Sequence, residues 1–245
     1  LTVPAPAGHQ IFYAPPGSLS GDSITFPPDE SAHMVSSLRV ARGDIVMATD
    51  GAGRLFEAQI EDAGRKLTVA RVTRVEKIAP PGVKLRLYQG MIRPQRMDLI
   101  VEKCVELGVT SIVPVFTQRS LERDAGARLS RWKKIALEAM KQSLRVYLPE
   151  ISDVGPLGRV LEEAGGLERL LVAHEGEAAR PLEAADVAIG KGEIGLFIGP
   201  EGGFSEAEMR AFKGLGATVF GMGRARLKSE TAAIAAVALI RRFLQ

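Results

Sequence analysis

The stretch EIGLFIGPEGGFSEAE, Glu193 to Glu208, decides the fold of the larger part of this chain. It opens with a short apolar run. It then crowds three glycines and a proline into positions 199–203 and continues as an amphipathic segment. An apolar run, a glycine turn and a polar restart read as strand, turn and helix. Ser205 and Glu208 have the spacing of a capping box, which sets the helix start. The turn carries Glu201 and no lysine. It therefore fits neither the dinucleotide fingerprint G-x-G-x-x-G nor the phosphate loop G-x-x-x-x-G-K-[ST], and Glu201 would repel a phosphate. The glycines still permit close backbone approach to a ligand. A side chain there, as in Gly202→Val, would fill that approach. A second glycine turn, GMGRARLKSET (221–231), follows the next apolar run. Ligands of open α/β sheets sit beyond the carboxyl ends of the strands. The two turns together suggest a pocket for a flat, uncharged or cationic group. The alternative is a pair of structural turns with no ligand.

Working outward, LRLYQGMI (85–92), TSIVPVF (110–116), RLLVAH (169–174), EIGLFIG (193–199) and ATVFGM (217–222) read as strands. Helices alternate with them. RMDLIVEKCVELG (96–108) would bury Leu99, Ile100, Lys103, Cys104 and Leu107 and stop at Gly108. SRWKKIALEAMKQSL (130–144) would bury Trp132, Ile135, Ala136, Ala139 and Met140, with Ser130 as N-cap. A short helix is expected near Leu157, and SETAAIAAVALIRRFL (229–244) forms the last one. Alternating strands and helices imply a parallel sheet covered on both faces. Residues 79–245 are thus expected to form an α/β domain.

The first part differs. QIFYA, DSITF, DIVMATDGAGRLFEAQI and KLTVARVTRVE alternate apolar and polar residues around Gly and Asp turns, with DGAG as a hairpin connection. ESAHMVSSLRV, from Glu30, is the helical candidate. Residues 1–78 are expected to form a small β-barrel, and KIAPPGVK (77–84) is the linker.

Among the 245 residues, hydrophobic content is 46% and net charge +3, ordinary values for a globular protein. The longest apolar run, Ala232 to Ile240, is shorter than the roughly 20 residues a membrane helix needs. LTVPAPAGHQ lacks the basic and apolar regions of a signal peptide. The single cysteine, Cys104, excludes an intramolecular disulfide and reads as a core residue. His9, His33 and His174 lack metal-ligand spacing, so no metal is expected. The expected location is cytoplasmic, without a membrane partner. Between residues 119 and 145, eight cations (Arg119, Arg123, Arg128, Arg131, Lys133, Lys134, Lys141, Arg145) face Glu122, Asp124 and Glu138. Such a cluster suits a phosphate backbone or, alternatively, a solvated helix face.

IGPEGGFSEAE, MGRARLKSETAA, Gln118–Ser120, RWKKIALEAMKQSLR and RMDLIVEKCVELGV resemble, in their order, the RsmE family. The N-terminal part matches through HMVSSLRVARGD and DGAG. These are 16S ribosomal RNA (uridine-N3)-methyltransferases of the SPOUT superfamily. The resemblance implies a PUA-like RNA-binding β-barrel followed by an α/β domain with a trefoil knot. It also implies S-adenosylmethionine as methyl donor, 16S rRNA or the small ribosomal subunit as partner, and a homodimer through the knot region. By analogy the donor is held by His174, Ile198, Gly199, Pro200, Gly202, Gly203, Met222, Gly223 and Leu227. Ala225 stands where the family usually has arginine, and Lys228 replaces a second one. Gln10 stands where an N-terminal arginine is common.

The chemistry so implied needs a uridine N3 stripped of its proton. Cations on the uracil oxygens would favour the anion. Arg224, Arg226, Lys228, Arg119 and Arg145 are candidates. Glu201, Glu230 and His174 are alternative bases. Glu230 could instead complement a helix N-terminus. Arg39, Arg119, Arg131 and Arg145 are candidates for RNA contact. Action on another RNA or a ribose hydroxyl, or a non-catalytic RNA-binding role, stays open at this point.

Overall fold

The computed structural model describes residues 11–120, 128–176 and 180–244. The readings on His9, Gln10, Glu122, Arg123 and Asp124 lie outside the described residues. Two compact units divide the chain. One comprises the residues up to Pro80 with Leu137–Leu148; the other comprises Pro81–Ala136 and the residues from Pro149 onward. The segment Leu137–Leu148, expected with the α/β part, thus clusters with the N-terminal unit.

In the first unit the elements are β1 (Phe12–Tyr13), β2 (Leu19–Ser20), β3 (Ser23–Phe26), α1 (Pro28–Ser36), β4 (Ile45–Thr49), β5 (Arg54–Ala63) and β6 (Thr68–Lys77). The strands form one sheet in the order β1-β4-β5-β6-β3-β2. Neighbours are antiparallel except β1 and β4. The alternation seen in sequence puts Ile24, Phe26, Phe56, Ala58, Ile60 and Ala70 into one core with Met34 of α1. Register shifts at Glu57/Ala58 and Ile60/Asp62 are the irregularities by which a long hairpin bends. The DGAG connection closes on Asp50, whose carboxylate accepts the Ala52 and Arg54 N–H groups at 2.8 and 3.0 Å. Gly53 has φ +99°, and a Cβ there would lie 2.2 Å from the Tyr147 hydroxyl. Helix α1 begins at Pro28, two residues before the expected Glu30 start, because proline is well suited to the first helical position. It ends at Ser36, and Arg39 takes a left-handed φ of +57°. Glu30 is buried. It accepts the Tyr13 N–H at 2.9 Å and pairs with Lys141 at 2.8 Å, which also meets Glu138 at 3.0 Å.

The second unit is built from β7 (Val83–Gly90), α2 (Pro94–Leu107), β8 (Ser111–Phe116), α3 (Leu129–Gln142, whose last turns belong to the first unit), β9 (Glu150–Ile151), β10 (Gly155–Pro156), α4 (Leu157–Ala164), β11 (Arg169–Ala173), β12 (Arg180–Pro181), α5 (Ala184–Val187), β13 (Gly192–Ile198), α6 (Glu206–Gly214), β14 (Thr218–Gly221) and α7 (Ser229–Phe243). Its sheet runs β10-β8-β7-β13-β11-β14-β12, with β9 beside β8. Every pairing is parallel, as the alternating pattern predicts. The short β9, β10, β12 and α5 have too little sequence to carry a period.

Two local readings are corrected. In α2 the buried face is Met97, Ile100, Val101, Cys104 and Val105, while Leu99 is exposed. Both stripes carry apolar residues, and packing against α7 selects between them. Ser130 is not an N-cap. The Trp132 N–H already donates to the Arg128 carbonyl, so Ser130 lies inside the first turn of α3. Gly108 does end α2, at φ +101°, donating to the Cys104 and Val105 carbonyls. Ser205 does cap α6: its Oγ accepts the Glu208 N–H, and Glu208 accepts the Ser205 N–H at 2.7 Å. Among the described residues no helix is long and apolar enough to cross a membrane.

Candidate functional site

The strands β7, β13, β11 and β14 are neighbours, so their carboxyl ends open side by side. There they enclose a cavity of about 350 Å³, within the range of small-molecule sites. Both glycine turns line it. Ile198 to Phe204 form one wall, and Met222, Gly223 and Ala225 to Ser229 another. Ala173 and His174 close the end of β11.

The first turn is held from several sides. Gly203 donates to the Pro200 carbonyl at 2.9 Å and takes φ +67°. Phe204 meets Phe212 of α6 edge-on, Phe212 meets Phe197, and Phe197 stacks on Tyr88. The Ser229 hydroxyl donates to the Gly199 carbonyl at 2.6 Å and accepts from Gln89 Nε2, which also donates to the Gly90 carbonyl. A Cβ on Gly90 would lie 2.7 Å from the Pro200 nitrogen. The end of β7 and the turn thus approach as closely as glycine allows. At Gly202 an added Cβ would first meet the Arg119 side chain, at 3.3 Å, so a flexible side chain is what a substitution there first displaces.

Charge in the cavity is unevenly placed. Arg96, from the first turn of α2, reaches Glu201 (Nη1 to Oε1, 3.5 Å) and Glu230 (Nε to Oε1, 3.6 Å). The remaining oxygens of both carboxylates are buried and have no hydrogen-bond partner among the described residues. Arg119 donates to the Gly202 carbonyl at 2.8 Å. Arg226 pairs with Glu175 at 2.9 Å in an exposed position. His174 accepts the Gly176 N–H on Nδ1 at 2.8 Å. That bond places the proton of the neutral ring on Nε2, which makes His174 a donor.

Of the sequence-chosen residues, His174, Ile198, Gly199, Pro200, Glu201, Gly202, Gly203, Met222, Gly223, Arg226, Leu227, Lys228 and Arg119 are brought together around the cavity. Arg224 is exposed and outside the lining. Arg131 is engaged by Asp98 at 2.9 Å. Arg39 and Arg145 belong to the first compact unit. Burial holds the Arg145 guanidinium below its usual range, and its Nε has no hydrogen-bond partner among the described residues. Sequence reasoning missed Arg96, Gln89, Gly90 and Ser229 as parts of the site. Gly90 and Ser229 had a signal, as a glycine at a strand end and a serine opening a helix. Arg96 had none, because its partners lie far along the chain.

Comparison with known proteins agrees with this geometry. The RNA methyltransferase domain family matches residues 79–241, and the RNA methyltransferase PUA domain matches residues 26–73. The ribosomal RNA small subunit methyltransferase E of Mycobacterium bovis is 29% identical over 238 residues, 94% of this chain and 90% of that one. A ribosomal RNA small subunit methyltransferase E from Neisseria gonorrhoeae, solved bound to S-adenosyl methionine, is 27% identical. It superposes with a TM-score of 0.84 over 95% of this chain and 97% of its own. A probable rRNA-methyltransferase from Porphyromonas gingivalis is 32% identical, with a TM-score of 0.83 over 96% of this chain and 98% of its own. With a parallel-sheet domain ending in two glycine turns and a PUA domain before it, the chain belongs to the ribosomal RNA small subunit methyltransferase E family of RNA methyltransferases.

Proposed function

We propose that this protein methylates N3 of a uridine in 16S rRNA of the small ribosomal subunit, with S-adenosylmethionine as methyl donor. The observation that carries the reading is the cavity itself. Its glycine turn has no lysine, and carboxylate charge lies at its wall. The bound donor would supply an electrophilic methyl group on a sulfonium, a cation without phosphate, and the residues present fit that group. Gly199, Gly203 and Gly223 admit close approach, and Ile198, Met222 and Leu227 give apolar contact. His174 offers its Nε2–H.

Arg226, Lys228 and Arg119 line the cavity and would place cations near the uracil carbonyl oxygens, favouring the N3 anion. Each unit by which they lower its pKa corresponds to about 1.4 kcal/mol. Much of the remaining catalysis is positioning. Residues 1–78 would act as a PUA-like RNA-binding barrel, with Arg39 and, from the segment Leu137–Leu148 that clusters with them, Arg145 as phosphate contacts that orient the RNA without specifying it. The target base would be splayed out of the folded RNA. Residues 79–245 would form the SPOUT domain with its C-terminal knot. Leu99 of α2 and Leu239 and Phe243 of α7 are exposed at 38%, 41% and 40%, which supports a homodimer through these helices.

The test uses small subunits from a strain lacking the enzyme. After incubation with S-adenosylmethionine, the rRNA is digested and analysed by mass spectrometry. The expected product is 3-methyluridine. A methyl mark on ribose, or no mark, would overturn the reading.

A further inference from the structure

We infer that Gln89 is a positioning residue: it aims the Ser229 hydroxyl at the Gly199 carbonyl and so sets the glycine turn that holds the methyl donor. This deepens the methyltransferase reading and rests on it. The residues involved come from three places in the chain. Gln89 and Gly90 end β7, Gly199 follows β13, and Ser229 opens α7. Gln89 is fully buried and stands behind the cavity wall, whereas Gly199 and Ser229 line the cavity. Any effect of Gln89 on a bound molecule therefore passes through its neighbours.

The direction of each bond follows from the chemistry of the groups. Gln89 Nε2 lies 2.9 Å from the Gly90 carbonyl oxygen and 2.9 Å from Ser229 Oγ. A carbonyl only accepts, so the amide turns its NH2 to Gly90 and not its oxygen. The second N–H then goes to Ser229 Oγ, which accepts it. The hydroxyl has one proton left to give, and the Gly199 carbonyl at 2.6 Å receives it. Without the amide, the Ser229 side chain is free to choose among its staggered rotamers. With it, the rotamer that meets Gly199 is selected.

What the hydroxyl holds is the Gly199–Pro200 peptide. Proline has no N–H, so this carbonyl is the peptide's only hydrogen-bonding group. The backbone around it is tightly placed. A Cβ on Gly90 would lie 2.7 Å from Pro200 Cδ, and one on Gly199 would lie 3.1 Å from Gly203 Cα. Pro200 and Gly203 are both cavity wall. Rotation of this peptide therefore moves the surface on which the donor rests.

The test measures S-adenosylmethionine affinity by calorimetry and stability by urea unfolding, both on the full chain. Ser229→Ala removes the tie and should weaken binding about tenfold, the order of one hydrogen bond. Ser229→Thr keeps the hydroxyl and should restore most of that loss. Gln89→Met removes the aim and leaves the hydroxyl, so binding should weaken about three- to tenfold. Its urea midpoint should move little. Gln89 Oε1 is buried without a hydrogen-bond partner among the described residues, and that acceptor leaves together with the amide. The double variant Gln89→Met/Ser229→Ala should bind as Ser229→Ala does, because Gln89 acts through that hydroxyl alone. Should Gln89→Met fail to fold, Gln89→Leu replaces it with the same expectation.

Wild-type affinity in either folded Gln89 variant or in Ser229→Ala would overturn the inference. So would losses that add in the double variant, or Ser229→Thr binding as weakly as Ser229→Ala. Wild-type protein that binds no S-adenosylmethionine would instead overturn the reading beneath it.

Discussion

Gly90→Ala is the most direct probe of how the cavity is built. Gly90 ends β7, where its φ is not in the left-handed region, so alanine brings no backbone strain of its own. What it brings is one methyl group. Its ideal position lies 2.7 Å from both Cδ and N of Pro200 and 3.0 Å from the Gly199 carbonyl carbon. Ordinary carbon contacts begin near 3.5 Å, so the turn must retreat by about 0.8 Å. It cannot retreat freely. The Gly199 carbonyl is tied to Ser229, and Phe204 is seated on Phe212. Overpacking of this kind costs about 1–3 kcal/mol. The displaced backbone is the cavity wall, so the donor should bind at least about tenfold more weakly, about 1.4 kcal/mol. Urea unfolding gives the first quantity and calorimetry the second. Gly203→Ala is the contrast. Its φ is +67° and no atom of the described residues lies within 4 Å of the added Cβ. It should cost about 1–2 kcal/mol through backbone conformation alone. Gly202→Ala, whose nearest neighbours are atoms of the flexible Arg119 side chain, should cost least. A Gly90→Ala protein with unchanged urea midpoint and affinity would refute the close approach.

Three further outcomes follow from buried groups. Burial pushes the Cys104 thiol up to about 12, so at pH 8 a thiol reagent should label the protein only as fast as it opens. Burial raises the Asp50 pKa, but hydrogen bonds from the Arg54 side chain and from the Ala52 and Arg54 N–H groups outweigh it, and the net shift is downward. Its contribution to stability is therefore present above the unfolded value of about 3.9 and is lost as pH falls through the lower folded value. Asp50→Asn should cost about 1–3 kcal/mol at neutral pH and flatten the acid limb of stability below about pH 4. Lys141→Met leaves Glu30 buried without its cation, which should cost about 3–5 kcal/mol by urea unfolding, and adding Glu30→Gln should restore part of it.

Features written within a few residues of each other were legible. The Ser205–Glu208 cap, the Gly108 stop and the strand before the glycine turn all follow from local chemistry. The face of α2 was legible in part: Ile100 and Cys104 are buried as expected, but Leu99, Lys103 and Leu107 give way to Met97, Val101 and Val105, because both stripes are regular and only packing against a distant helix chooses. The lining of the cavity followed from the two glycine turns. The polar ties behind it did not. Gln89 meets Ser229 across 140 positions, and Arg96 meets Glu201 across 105. Glutamine in a strand and arginine at a helix start carry no sign of such partners. Lys141 was read as part of a basic surface, but it is buried on Glu30, 111 positions away.

The hydrogen bond from Ser229 to Gly199 also has a meaning in time. A ribosome making this chain delivers the glycine turn first and its tether 30 residues later. Until α7 has been synthesised and docked, the turn lacks the contact that fixes its first carbonyl. A nascent chain halted before Ser229 would carry every glycine of both turns and still lack a formed cavity. Affinity for the donor would therefore report the docking of α7, and a labelled donor analogue could time that event during translation.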